Sequence, residues 1–122
     1  MLLVDPYADE KIVTEYALLA PESVAVRILA DAADHKKTLK PAAERWVQQF
    51  GKARAPLEVR LAPTKTLHDR LIIVDNANVW GIGQSFNKLA QRAHTSLVRM
   101  DSETGALKNA AYLEMWRKAT VL

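Results

Sequence analysis

The sequence predicts an α/β fold, a mixed β-sheet flanked by helices in one domain. Three observations carry this. In the first half of the chain, short Val/Ile/Leu runs alternate with apolar residues at helical spacing, the pattern of strand–helix–strand units. In the second half, strands follow one another with no helix between them, which makes the sheet mixed rather than parallel. The chain has 122 residues, 49% of them apolar, a length and composition that suit one domain with its own core.

Taken in order, Leu2–Val4 is a short apolar strand that runs into Asp5-Pro6-Tyr7, where Pro6 takes the chain out of regular pairing. Asp9–Ala20 is predicted to be a helix, with Ile12, Val13, Tyr16, Leu19 and Ala20 on one side and acidic residues in its first turn. Pro21 ends it. Ser23–Ala30 is a second strand, parallel to the first across a right-handed crossover. Asp31–Lys37 is a polar loop in which His35 reads as solvated, and Lys36, Lys37 and the nearby Lys40 read as a solvated surface or as contacts to a phosphate backbone. Thr38–Lys52 is a second helix: Thr38 is its expected cap, Gly51 its stop, and Leu39, Ala42, Ala43, Trp46, Val47 and Phe50 its buried face. Trp46 reads as a core residue rather than a stacking platform. Leu57–Leu61 alternates as a half-buried strand, and Pro63 breaks it.

The stretch Thr66–Asn87 follows, reading as strand, tight turn, strand and loop. Its first apolar run, LIIV, ends at Asp75. A turn-like Asn-Ala-Asn leads into Val79-Trp80-Gly81-Ile82-Gly83, then Ser85 and Asn87. Val and Ile bounded by Asn and Asp are a hairpin signal. His68 and Arg70 stand two residues apart and so share one face of an extended chain. An imidazole beside a fixed cation suits a phosphoryl group: the imidazole can attack or relay a proton, and the guanidinium can hold two oxygens. Ser85 and Asn87 add uncharged hydrogen-bonding groups. A short helix or turn over Phe86–Arg92, with Lys88 and Arg92 on one face, leads to a strand over Thr95–Met100. Ser102–Ala119 closes the chain as a long helix, with Leu107, Ala110, Ala111, Leu113, Met115 and Trp116 on its apolar side.

His68-x-Arg70-x4-Asp75, followed by Gly83-Gln84-Ser85-Phe86-Asn87, resembles the phospholipase D superfamily signature H-x-K-x4-D-x6-G-S-x-N. The order of elements resembles that family's single domain across nearly the whole chain, and the variant with His-Asp-Arg is similar to phospholipase D-like domains such as the dimeric bacterial nucleases. The resemblance implies catalytic residues His68, Arg70, Asp75, Ser85 and Asn87. In that family two copies of the motif build one site. One histidine forms a phosphohistidine; the other protonates the leaving oxygen and then activates water, with neither metal nor cofactor. This chain holds one copy. The resemblance therefore implies a homodimer with a His68 from each subunit, or a second copy elsewhere in a longer chain. It implies that Arg70 clamps the non-bridging oxygens, that Ser85 and Asn87 complete an oxyanion site, and that Asp75 holds the hairpin. Asp5-Pro6-Tyr7 is either a segment that approaches the cleft or a turn leading into the next helix.

Three departures bear on activity. Arg70 replaces lysine, which keeps the charge and adds a bidentate fork. Gln84 is inserted between Gly and Ser, and the Asp-to-Asn interval is two residues longer than in the signature. Where active relatives carry a glutamate that hydrogen-bonds the histidine, this chain has His94-Thr95-Ser96, so the imidazole lacks that tautomer lock. Asp69 is adjacent but faces the other way.

Composition sets the remaining bounds. Net charge is +3 with pI about 9.3, a balance that permits a phosphate-rich partner. There is no cysteine, hence no disulfide or thiolate chemistry, which fits a cytoplasmic setting. No apolar run approaches the roughly 18 residues of a membrane span, and no basic stretch precedes the first apolar one as in a signal peptide. His68-Asp69 and the scattered acids lack zinc-site spacing. Residues 1–122 read as one phospholipase D-like domain, free-standing or part of a longer chain. The expected function is a metal-independent phosphodiesterase, a nuclease acting as a dimer. The alternative is a binding module that keeps the cleft for nucleic acid or another phosphate ligand without turnover.

Overall fold

A computed structural model describes residues 1–88 and 96–122. Seven strands form one sheet: β1 (Leu2–Val4), β2 (Val26–Asp31), β3 (Leu57–Ala62), β4 (Leu71–Val74), β5 (Asn78–Ile82), β6 (Leu97–Arg99) and β7 (Thr120–Val121). Their spatial order is β6-β5-β4-β1-β2-β3-β7. β1, β2 and β3 run parallel; β4, β5 and β6 form an antiparallel meander beside β1, and β7 returns antiparallel along β3. The mixed sheet expected from the sequence is thus present, with one strand that the sequence reading did not foresee. That strand is a two-residue edge formed by the end of the chain.

The sheet is covered on both faces, and the side-chain period of two decides which residue goes where. On one face, Leu3, Ile28, Ala30, Val59 and Ile82 pack against the segment after β1 and against α1 (Leu39–Phe50). On the other, Leu2, Val4, Leu29, Leu71, Ile73 and Val79 pack against α2 (Ser102–Lys118) through Tyr112 and Trp116. Ile28 and Leu29 are adjacent and both fully buried, one in each core. A side chain of that size contributes about 1.5–3 kcal/mol when fully buried, so neither layer is dispensable.

The first helical segment departs from a regular α-helix. Ile12–Tyr16 is π-helical and Ala17–Leu19 tightens to 3-10. Ile12, Val13 and Ala20 are buried as the periodicity predicts, but Leu19 is 80% exposed. α1 stops where expected: Gly51 takes φ 51° and returns its N–H to the Val47 carbonyl at 2.9 Å. Its start differs. Thr38 makes no side-chain cap; its hydroxyl instead donates to the Glu10 carboxylate, tying α1 to the first helical segment. Trp46 is buried edge-to-face against Phe50, a core residue as read, whereas Val47 is exposed.

α2 begins at an Asp101 cap, whose carboxylate accepts from the Thr104 amide at 2.8 Å. Its buried stripe is Gly105, Tyr112 and Trp116, not the Leu107–Ala110–Ala111 side, which faces solvent. Gly105 lies flat on β5: a Cβ there would sit 3.6 Å from the Ala77 carbonyl and 3.7 Å from Val79.

The hairpin turn is one residue earlier than the Asn-Ala-Asn reading placed it. It is built from Asp75 and Asn76, at φ 54° and 53°, with Ala77 N–H donating to the Val74 carbonyl at 3.2 Å. Positive φ at both central positions belongs to the hairpin turns whose twist matches paired strands, and Asp and Asn tolerate it best after glycine. The proposed helix beyond Lys88 to Arg92, His94 and the first residue of the Thr95–Met100 strand lie outside the described residues.

Candidate functional site

The site forms where the ends of β1 and β2 meet the segments on either side of the β4–β5 hairpin. Beneath it lies a buried carboxylate that does not line the cavity. Asp5, directly after β1, is fully buried. Its Oδ1 accepts from the Tyr7 amide at 3.0 Å, and its Oδ2 accepts from the Ser85 hydroxyl at 2.7 Å and the Phe86 amide at 2.8 Å. Burial pushes this carboxyl above its ordinary pKa; the hydrogen bonds from Ser85, Tyr7 and Phe86 and the Arg70 charge pull the other way without cancelling it. Asn87 completes the brace, its Nδ2 donating to the Tyr7 carbonyl at 2.9 Å. Lys11 Nζ in turn donates to the Asn87 carbonyl at 3.1 Å.

A second carboxylate sets the neighbouring wall. Asp31, at the end of β2, is also buried. It accepts from the Ala33 and Asp34 amides at 2.7 and 2.8 Å and from the Lys65 amide at 2.8 Å. Burial opposes the charge, but the amides of Asp34, Lys65 and Ala33 outweigh it and hold Asp31 below the usual carboxylate range. The loop so fixed is stitched to the one after β1 by Lys36 N–H donating to the Ala8 carbonyl at 2.9 Å. Lys36 therefore stands beside Tyr7.

Above the brace opens a concavity of about 510 Å³, lined by Tyr7, Lys36, Arg70, Ser85, Asn87 and Lys88 among others. The Lys36 ammonium and the Arg70 guanidinium lie 5.9 and 5.7 Å from the centroid of the Tyr7 ring, within cation–π range. Three cations line the cavity, and no carboxylate does among its described lining residues. Arg70 Nε is buried with no hydrogen-bond partner among the described residues. A buried N–H of a charged group left in that state costs about 1–3 kcal/mol or more.

His68 and Arg70 precede β4 rather than lying in it, since the strand begins at Leu71. The alternation nevertheless holds. Leu67 is buried in the α2 layer with Leu71 and Ile73, and Asp69 turns the same way, accepting from Lys108 Nζ and Tyr112 Oη at 2.7 Å each. His68 is exposed and borders a second concavity of about 380 Å³ with Gly81, Ser96, Val98 and Met100. Arg70 and Gly83 belong to both cavities, so the guanidinium stands in the wall between them.

The residues expected from the sequence thus divide. Arg70, Ser85 and Asn87 come together in one cavity, and His68 borders the next. Asp75 does not join them: it sits in the exposed turn at the far end of β4. Four residues of extended chain, at roughly 3.3 Å each, separate it from Arg70. Ser85 and Asn87 are turned inward as struts, the hydroxyl proton given to Asp5 and the amide to Tyr7. Sequence reasoning offered Asp5-Pro6-Tyr7 as a segment approaching the cleft but did not see Asp5 as the organising carboxylate; Lys36, read as solvated or as a phosphate contact, is exposed and also lines the cavity. The signal available was Asp5-Pro6-Tyr7 at the end of a parallel strand, where α/β sheets place their ligands. No group of three or more His, Asp or Glu residues among the described ones could hold a metal ion, and no helix among them is long and apolar enough to cross a membrane.

No known family model, curated protein or solved structure matches the chain.

Proposed function

We propose that this chain is a phosphodiester-handling domain of the phospholipase D type. On this reading it holds a nucleic-acid phosphate on Arg70 and, as a homodimer, hydrolyses it through His68. The observation that carries it is Arg70, which lines a cavity together with Lys36 and Lys88 and no described carboxylate. A guanidinium can offer two parallel N–H groups to one phosphate, and the lysines can meet its neighbours along a strand. His68 emerges on the same side of the chain as Arg70 and is open to solvent, as an attacking imidazole must be. The first transfer would break the P–O bond to the leaving oxygen and form a P–N bond to one His68. The partner's His68 would supply the proton to the leaving group, then take one from the water that releases the phosphate.

A second reading rests on a separate observation. The Ser85 hydroxyl and the Asn87 amide, which the sequence motif would assign to the oxyanion, are engaged with Asp5 and Tyr7. That favours a domain that binds a phosphodiester without cleaving it.

One experiment separates the two. Plasmid DNA, single-stranded DNA and RNA are incubated with the protein in EDTA, beside His68→Ala and Arg70→Ala variants. Cleavage by the wild type that is lost in His68→Ala supports the hydrolase. Salt-sensitive binding without cleavage, weakened by Arg70→Ala, supports the binding module. Neither binding nor cleavage would sink both.

A further inference from the structure

The His68–Arg70 segment has little backbone support of its own. Residues 66–70 lie outside any strand, and among the described residues their one cross-strand backbone bond is Ile82 N–H to the Arg70 carbonyl at 3.0 Å. What fixes the segment lies on its other face. The Asp69 carboxylate reaches α2, taking one hydrogen bond from Lys108 and one from Tyr112, 39 and 43 residues along the chain. Leu67 is buried in the same layer. In an extended chain, alternate side chains point to opposite sides. Pinning residues 67 and 69 to α2 therefore turns 68 and 70 outward.

We propose that Tyr112 and Lys108 are positioning residues that act through Asp69, a clamp from α2 that sets the reach of His68 and Arg70 into the cleft. Its effect on a ligand rests on the phosphate-binding reading above; the clamp itself does not.

The chemistry of the three groups suits a rigid hold. Both bonds to Asp69 are charge-assisted and short, the strong class of hydrogen bond. Burial opposes the Asp69 charge, but the bonds from Lys108 and Tyr112 and the nearby cations outweigh it, so the carboxylate stays ionised well below neutrality. Burial and then the Asp69 carboxylate raise the Tyr112 pKa, while the amides of Asp69 and His68 exert a smaller opposite pull. The phenol therefore keeps its proton and remains a donor. The Tyr112 ring is itself buried in the α2 core, so the donor cannot drift. Precision of this kind matters because a displacement of about 1 Å at a reacting group can cost on the order of a hundredfold in rate.

The test uses the full chain and four variants. Tyr112→Phe keeps the ring and removes the donor; Lys108→Met keeps the stem and removes the charge; Lys108→Arg restores a cation; Arg70→Ala reports on the ligand site. Hydrogen exchange is followed over residues 66–72 and over β1 and β2, and binding of a labelled single-stranded oligonucleotide is measured well below the melting temperature. In Tyr112→Phe and Lys108→Met, exchange over 66–72 should rise about tenfold, the scale of one lost charge-assisted bond, with β1 and β2 unchanged. Oligonucleotide affinity should fall several-fold, and Lys108→Arg should recover both. Unchanged exchange over 66–72 in Tyr112→Phe would overturn the clamp, and so would a uniform rise across the sheet. If exchange rises at 66–72 alone while Arg70→Ala binds as the wild type does, the clamp stands and the phosphate-binding reading falls.

Discussion

Ser85 donates its hydroxyl hydrogen to Asp5 at 2.7 Å, across 80 residues of sequence. That bond joins the end of the first strand to the loop after the hairpin, and the floor of the cleft depends on it. Asp5 also holds the Tyr7 and Phe86 amides. Asp5→Ala would leave a hydroxyl and two amides buried without an acceptor, each a loss of about 1–3 kcal/mol if fully unsatisfied. We expect a loss of roughly 3 kcal/mol or more, read from the urea midpoint at constant slope. Ser85→Ala should lose about 1–2 kcal/mol, because Asp5 keeps its two amide donors. Equal stability of Asp5→Ala and wild type would show that the brace is not what holds the loop.

Arg70→Ala should weaken oligonucleotide binding by about 1.5–3 kcal/mol, the scale of hydrogen bonds to a charged group. That is roughly 10- to 150-fold in Kd. Arg70→Lys should recover only part of it, since lysine offers a point charge where the guanidinium offers a fork. Isothermal calorimetry at fixed salt decides. Equal affinity of wild type and Arg70→Ala would place the guanidinium outside the site.

Lys36 and Lys88 should each show in the salt dependence. If each meets one phosphate of a single strand, removing either should lower the slope of log Kobs against log salt by about 0.7. A slope unchanged in both variants would mean that these ammonium groups only decorate the rim.

Acid stability should carry two opposite signatures. Asp69 has a depressed pKa, so its contribution is full above the unfolded value near 4 and is lost as pH falls through the lower folded value. Asp5 has a raised pKa. Its contribution is full below the unfolded value and is lost as pH rises through the higher folded one. Unfolding free energy of Asp69→Asn should therefore approach that of the wild type only below about pH 4. A difference that stays constant down to acid unfolding would show that the Asp69 charge contributes nothing.

Gly105→Ala should stabilise the protein by about 0.5–1 kcal/mol, because glycine inside a helix costs that much relative to alanine. The added methyl would meet Ala77 and Val79 at ordinary contact distance. Gly105→Leu should destabilise it, since α2 would have to lift from β5. Thermal melts of the two variants should move in opposite directions.

Much of this was legible in the sequence, for reasons that differ by residue. The strands were plain because Leu2–Val4, Ile28–Ala30 and Leu71–Val74 are apolar runs with few alternatives. α2 was found, and Trp116 is buried as read, but the N-terminal half of its apolar side was misread. Leu107, Ala110 and Ala111 look apolar, yet Gly105 and Tyr112 meet the sheet, since close approach and a hydroxyl partner outrank hydrophobicity there. The outward pairing of His68 with Arg70 followed from alternation alone, even though those residues lie outside the strand. The brace was not legible. Asp5 and Ser85 are 80 residues apart, and the pattern at the end of β1, which marks a ligand-side loop, says nothing of the later loop that buries the carboxylate.

The place of β1 in the sheet has a consequence for biosynthesis. β1 lies between β2 and β4, so one of its edges is covered only when Leu71–Val74 has been made. At ~5–20 residues per second, β1 leaves the ribosome several seconds before that partner exists. Through that interval a nascent chain carrying β1, β2 and β3 presents an open apolar edge in the middle of its future sheet, which makes it a client for whatever shields nascent chains.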